Sequence, residues 1–203
     1  MTMNANEAYQ WLMEASADSE VESFDIHIVA SILAVAMADD GQAVGAGVGL
    51  SGAELRALVA EVFPGAVARF AWASGVVEVD EEEQSLRDLL LMYATGTRFV
   101  EPYLAAMVAR RCQFPHHLWQ DLGLHNRAEL SRLMSRHFQA LAARNSNDMK
   151  WKKFLYRQVC RSEGFSLCVA PVCSDCDDFI NCFGAEDGEA RLARARNGME
   201  MAA

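Results

Sequence analysis

Apolar residues recur at three- and four-residue spacing along most of this chain, and the pattern stops at Gly164, ahead of four closely spaced cysteines. That period constrains the fold more than any other feature, because each such stretch needs one helical face buried against a neighbour. In Ser23 to Met37, Phe24, Ile28, Ile32 and Ala36 stand four apart. Its β-branched content is compatible with a buried strand, but its length favours a buried helix. Asp39 to Gly49 is rich in glycine and aspartate and reads as a loop. Ser51 and Glu54 have capping-box spacing, Leu55, Leu58, Val59 and Val62 mark a face, and Pro64 stops the helix. Asp80 with Glu81, Glu82 and Glu83 starts another helix, since negative charge suits the N-terminal dipole end. Its apolar side is Leu86, Leu89, Leu90 and Tyr93. Pro102 sits near a helix start and precedes Leu104, Met107, Val108 and Arg111. Beyond a linker at Pro115, Asn126 and Glu129 have capping spacing, and Leu130, Leu133, Met134, Phe138 and Leu141 follow in period. Asp148 is expected to cap a last helix with Trp151, Phe154, Leu155 and Val159 inward and Gly164 as the stop. There is no alternation of strands and helices of the kind a parallel sheet requires. The expected fold is therefore all-α: an irregular multi-helix domain over 1–164, a cysteine-rich metal-binding loop over 165–184, and a charged tail over 185–203 that frays.

A chain of 203 residues suits one domain, or one domain with a small appended module. An apolar fraction of 52% excludes a disordered chain. The net charge of −10 opposes non-specific nucleic-acid binding, which depends on neutralising phosphates. That charge is uneven. Asn126 to Arg161 holds nine basic residues against two acids, a net of +7, so the remainder carries −17. Every lysine of the chain, Lys150, Lys152 and Lys153, lies in this window. The asymmetry points to an anionic partner or ligand, beside the plainer reading of a solvated helix face. The longest apolar stretch, Ile28 to Ala38, is shorter than the roughly 20 residues a membrane helix needs. The acidic N-terminus lacks the basic region of a secretory signal. A cytoplasmic protein is expected, and its six cysteines then read as thiolates for metal or redox work rather than as disulfides.

Gly47 to Gly52 fits G-x-G-x-x-G, but what precedes it reads as helical and no acid stands about 20 residues beyond to hold a ribose. A flexible loop with a helix cap is the better reading. His116, His117 and His125 cluster in sequence with Trp119 and Asp121. Adjacent residues point in different directions on a helix or a strand, so His116 and His117 are not expected to share one ion.

Cys168, Cys173, Cys176 and Cys182 put four soft ligands within fifteen residues. Thiolates select zinc, copper(I) or iron–sulfur clusters. Zinc sites usually pair two C-x2-C units across a longer insert, whereas this run has one C-x2-C with a cysteine close on each side. Such a loop can wrap a multi-metal cluster, though its spacing matches neither common ferredoxin pattern. Spacing favours a cluster and leaves zinc open. Cys160 reads as a buried structural thiol or a spare ligand, and Cys112 as a packing residue.

From His117 to Gly184 the sequence resembles the NifQ family of nitrogen fixation. The resemblance rests on His117-Leu118-Trp119-Gln120-Asp121-Leu122-Gly123-Leu124, Arg127 with Glu129-Leu130, and Asn145 leading to Asp148-Met149-Lys150-Trp151-Lys152-Lys153-Phe154. Glu163-Gly164 and the motif C-x4-C-x2-C-x5-C ending in Cys182-Phe183-Gly184 complete it. A looser match includes Gly49-Leu50-Ser51 and Phe63-Pro64-Gly65. The resemblance implies a cytoplasmic iron–sulfur protein, not an enzyme, that carries molybdenum as a Mo–Fe–S cluster on Cys168, Cys173, Cys176 and Cys182. It also implies donation to iron–molybdenum cofactor assembly, with the NifEN scaffold and the nitrogenase iron protein as recipients. The basic window adds an expectation of its own: Lys150, Lys152, Lys153 and Arg157 assist capture of molybdate or docking. An electron-transfer or redox-sensing iron–sulfur protein and a zinc-stabilised interaction domain are the competing classes.

Overall fold

The computed structural model describes residues 3–39, 43–70, 77–162 and 191. Among them every regular element is helical, and the all-α expectation holds. The chain runs through α1 (Ala5–Ala15), α2 (Ser23–Ala38), α3 (Val44–Val48), α4 (Gly52–Val62), a 3-10 turn (Pro64–Ala66) and α5 (Glu81–Met92). It continues through α6 (Glu101–Cys112), α7 (Leu118–Asp121), α8 (Arg127–His137), α9 (Gln139–Ala142) and α10 (Trp151–Ser162).

Helix α2 is the centre of the molecule. It is apolar on all sides and buries eleven of its sixteen residues. A helix greasy all round belongs inside a bundle, so length outweighs the β-branched content here. Against it lies α1, which is not among the helices expected from the sequence. Its signal is the spacing already used at Ser51 and Glu54. Asn4 Oδ1 accepts from Glu7 N at 2.9 Å while Asn4 N donates to Glu7 Oε2 at 3.0 Å. Ala5 and Ala8 pack on Ala34 and Val35, where the small side chains let the two helices approach closely.

Several expectations hold locally. Ser51 and Glu54 form the capping box of α4. Asp80 Oδ1 accepts from Glu83 N at 2.7 Å. Pro64 follows the end of α4 and opens the 3-10 turn.

Four details differ. The segment read as a loop from Asp39 contains α3, packed on α2 and α6. Burial of Val44 and Val48 offsets the poor helix propensity of its glycines. Gly49 ends α3 at φ 70°, and a Cβ there would lie 2.5 Å from Arg87 Nη2. The G-x-G-x-x-G run is thus a helix–turn–helix contact against α5 and α6, not a free loop. Glu83 is not only a dipole complement. It is buried, with Arg87 bonded to it and Arg110 Nε 2.9 Å from Oε2, and Arg87 Nη2 also donates to Gly49 O at 2.6 Å.

The period from Leu130 to Leu141 is two helices rather than one. Phe138 leaves the helical region (φ −132°, ψ 47°). The carbonyl of His137, which a continuous helix would offer to Leu141 N, accepts instead from Thr95 N at 3.1 Å. Finally, Asp148 does not cap α10. It lies at φ 52°, and its carbonyl and Oδ1 both accept from Arg127 Nη2 at 2.8 Å. The Asn145 side chain brackets Met149 on both sides at 2.9 Å, and the first turn of α10 closes from Lys150 O to Phe154 N.

Most of the apolar side chains from Leu12 to Val159 form one core. Gly123, at φ 71°, docks the end of α7 directly on α2. A Cβ there would sit 2.6 Å from Ser31 O and 2.8 Å from Val35 Cγ1, so the residue serves both the turn and the close approach.

Candidate metal centre

Cys168, Cys173, Cys176 and Cys182, the expected boundaries at 165–184 and 185–203, and the Gly164 stop all lie outside the described residues. What is described is the helix that leads to the cysteines and one residue beyond them. Helix α10 packs on α5. Its first turn is pinned by three contacts. Trp151 Nε1 donates to Ser131 Oγ at 3.2 Å, Lys152 Nζ pairs with Asp121 Oδ2 at 2.6 Å, and Lys152 also donates to the carbonyl of Phe114. Asp121 is fully buried and takes His116 Nδ1 at 3.1 Å on its other oxygen. Arg191, past the cysteines, bonds Asp39, whose second oxygen accepts from the buried Arg111 at 2.7 Å. The guanidinium of Arg111 also lies over the Phe114 ring, 4.4 Å from its centroid.

Much of the basic window is spent inside the fold. Arg127 pairs with Asp148, and Arg136 pairs with Asp25 at 2.8 Å and Glu22 at 2.5 Å. Arg132 lies over Phe24 at 3.9 Å and Arg144 over Tyr93 at 4.7 Å. Lys152 is held by Asp121. Lys150 and Arg157 are half-buried and Lys153 is exposed. Asp25 also meets the fully buried His137 at 3.1 Å. Burial works upward on the Asp25 carboxyl, but hydrogen bonds from His137 and Arg136 prevail and hold it below the ordinary carboxylate range.

Cys112 is buried, and burial pushes its thiol up to about 12, as suits a packing residue. Cys160 is only half-buried on α10, more open than the structural thiol expected there.

The three histidines read together in the sequence separate in space. His116 joins Asp121 and Lys152, and His117 starts α7, its backbone N donating to Gln120 Oε1 at 3.3 Å. His125 turns instead to Glu129 and to His27 of α2, a residue that is not among the sequence candidates. His125 Nδ1 lies 3.1 Å from Glu129 Oε1, and His27 Nε2 lies 3.3 Å from the same oxygen. The two rings face each other with centroids 5.3 Å apart. Burial works upward on Glu129, yet the histidines and the His125 N–H hold its carboxyl down to about 2. His27 falls in a run that reads only as apolar core, so nothing local to it marks a ligand.

Fold and site define a class: a helical body whose last described helix runs into a segment bearing four closely spaced cysteines. The chain belongs to the NifQ family, whose family model matches residues 28–184, and that family is concerned with molybdenum in nitrogen fixation. It is 40% identical over 172 residues to the Protein NifQ homolog of Sinorhizobium fredii, covering 82% of this chain and 75% of that one. It is 40% identical over 138 residues to Protein NifQ of Rhodobacter capsulatus, covering 68% and 76%. Against Protein NifQ of Azotobacter vinelandii the figures are 42% over 106 residues, 52% and 54%. No solved structure matches the chain. Among the described residues no helix is long and apolar enough to cross a membrane.

Proposed function

We propose that this protein is a cytoplasmic metal-cluster carrier, without catalytic turnover, that holds a Mo–Fe–S cluster and gives it up for assembly of the nitrogenase iron–molybdenum cofactor. One observation carries the reading: C-x4-C-x2-C-x5-C, from Cys168 to Cys182, falls wholly inside the stretch matched by the family model. Four thiolates suit iron and molybdenum bridged by sulfide, both of which favour soft ligands in that state. The cluster is cargo, so it must be accessible to an acceptor. The acceptors we propose are the NifEN scaffold and the nitrogenase iron protein.

Molybdate, or another oxidised molybdenum source, is an anion. Lys150, one residue ahead of α10, and Lys153 and Arg157, on α10, are proposed to draw it in or to meet an acidic acceptor face. Lys152, tied to Asp121, contributes by fixing that helix in place.

The test is metal analysis of protein purified without air, compared with a C173S/C176S chain. The proposal expects iron and molybdenum in the first and loss of both in the second. Iron alone would move the reading to electron transfer or redox sensing. A colourless protein with one zinc per chain would move it to a zinc-stabilised interaction domain.

A further inference from the structure

We propose that His27, His125 and Glu129 form a second metal site: a two-histidine, one-carboxylate position for a divalent first-row transition ion such as zinc or iron(II). It is independent of the cysteines. It joins the middle of the protein, α2, to the loop before α8 and the first turn of α8 itself.

The donor set decides the class of ion. Two imidazoles and a carboxylate suit zinc and iron(II), whereas copper(I) prefers thiolate and thioether sulfur. A molybdate dianion is disfavoured, because Glu129 turns a carboxylate toward the site. The geometry fits a small ion. One ligand atom from each residue lies within 4.8 Å of the other two. The two histidine–carboxylate separations, 3.3 and 3.1 Å, are close to the roughly 3.3 Å edge of a tetrahedron with metal–ligand bonds of about 2.0–2.1 Å.

The outer partners are those of a ligating pair. Tyr9 Oη lies 2.8 Å from His27 Nδ1. If Nδ1–H donates to Tyr9, the lone pair of Nε2 faces Glu129, the tautomer a metal requires. Glu129 Oε2 accepts from His125 N at 2.8 Å, which orients the carboxylate and leaves Oε1 toward both rings.

A plain ion-pair cluster explains less. His27 Nε2 is buried and makes no hydrogen bond despite its nearness to Oε1. Two protonated imidazoles face to face would also repel each other across a single carboxylate. The rings lie nearly parallel, 13° apart, so binding requires one of them to turn. His125 is the one placed to do so: its side chain is 54% exposed, against 15% for His27. That same exposure leaves an outer coordination position open to water.

Cobalt(II) titration of the full-length chain under anaerobic, reducing conditions tests the site. Thiolate-bound cobalt shows strong sulfur-to-metal charge-transfer bands, and a nitrogen–oxygen site does not. The full-length chain with Cys168, Cys173, Cys176 and Cys182 all changed to serine is expected to bind one equivalent without those bands. Adding His125→Ala or Glu129→Gln should weaken that binding at least tenfold. In the native-cysteine background, His125→Ala should lower total cobalt by one equivalent and leave the charge-transfer intensity unchanged. Zinc should raise the melting temperature of the all-serine chain and not of its His125→Ala derivative. Cobalt and zinc binding that is the same with and without His125 would overturn the proposal, whichever background it is measured in.

Discussion

Replacing Gly123 by alanine should be far more damaging than the same change at Gly96, although both glycines sit at φ 71°. The backbone cost of a left-handed alanine is about 1–2 kcal/mol, partly offset by the lower entropy of the unfolded alanine chain, about 0.4–1 kcal/mol. At Gly96 nothing lies within 4 Å of the added Cβ, so the loss should stay near 1 kcal/mol. At Gly123 the Cβ would meet Ser31 O at 2.6 Å and Val35 Cγ1 at 2.8 Å. Both belong to the central helix, which is buried on all sides and cannot step aside cheaply. Overpacking of this kind adds about 1–3 kcal/mol, for a total of about 2–4. Urea unfolding of the two full-length variants, with unchanged m-values, measures the difference directly. Equal losses within about 0.5 kcal/mol would refute the claim that α7 is seated on α2 through this glycine.

Other outcomes follow from the buried polar groups. Asp25→Asn should cost about 3–5 kcal/mol by urea unfolding, because it strips the charge that faces buried His137 and Arg136. Glu129 and Asp25 have depressed folded pKa values, so the unfolded state binds more protons as pH falls through the carboxylate range. Their stabilisation is complete above about pH 4.5 and is lost progressively below it, and Glu129→Gln should flatten the slope of stability against pH in that acid window. Cys112 should resist iodoacetamide at pH 8 until the chain unfolds, since its buried thiol titrates near 12, and mass spectrometry of the labelled peptides reads this out.

The elements legible in the sequence were those whose signals are local. A serine three residues ahead of a glutamate, an aspartate before a run of acids and a proline after an apolar face each act within one turn, and each is found where read. One local signal, the Asn4 and Glu7 capping box of α1, is not among those read, and most other differences come from contacts distant in sequence. Leu130 to Leu141 is in helical period, but Thr95 claims the His137 carbonyl and breaks it. Asp148 has cap chemistry, but Arg127 draws it into a left-handed turn. Glu83 looks like any first-turn acid until Arg87 and Arg110 enclose it. His27 is invisible as a ligand because its partners, His125 and Glu129, arrive from much later in the chain. The cysteine motif is legible for a related reason: its four cysteines are close enough in sequence that spacing alone restricts what they could hold.

X-ray absorption at the molybdenum edge, on protein purified without air, tests the central claim most directly. A cargo held as a Mo–Fe–S cluster on Cys168, Cys173, Cys176 and Cys182 predicts sulfur neighbours around molybdenum and iron in the next shell. Molybdenum surrounded only by oxygen, as in bound molybdate, would contradict it.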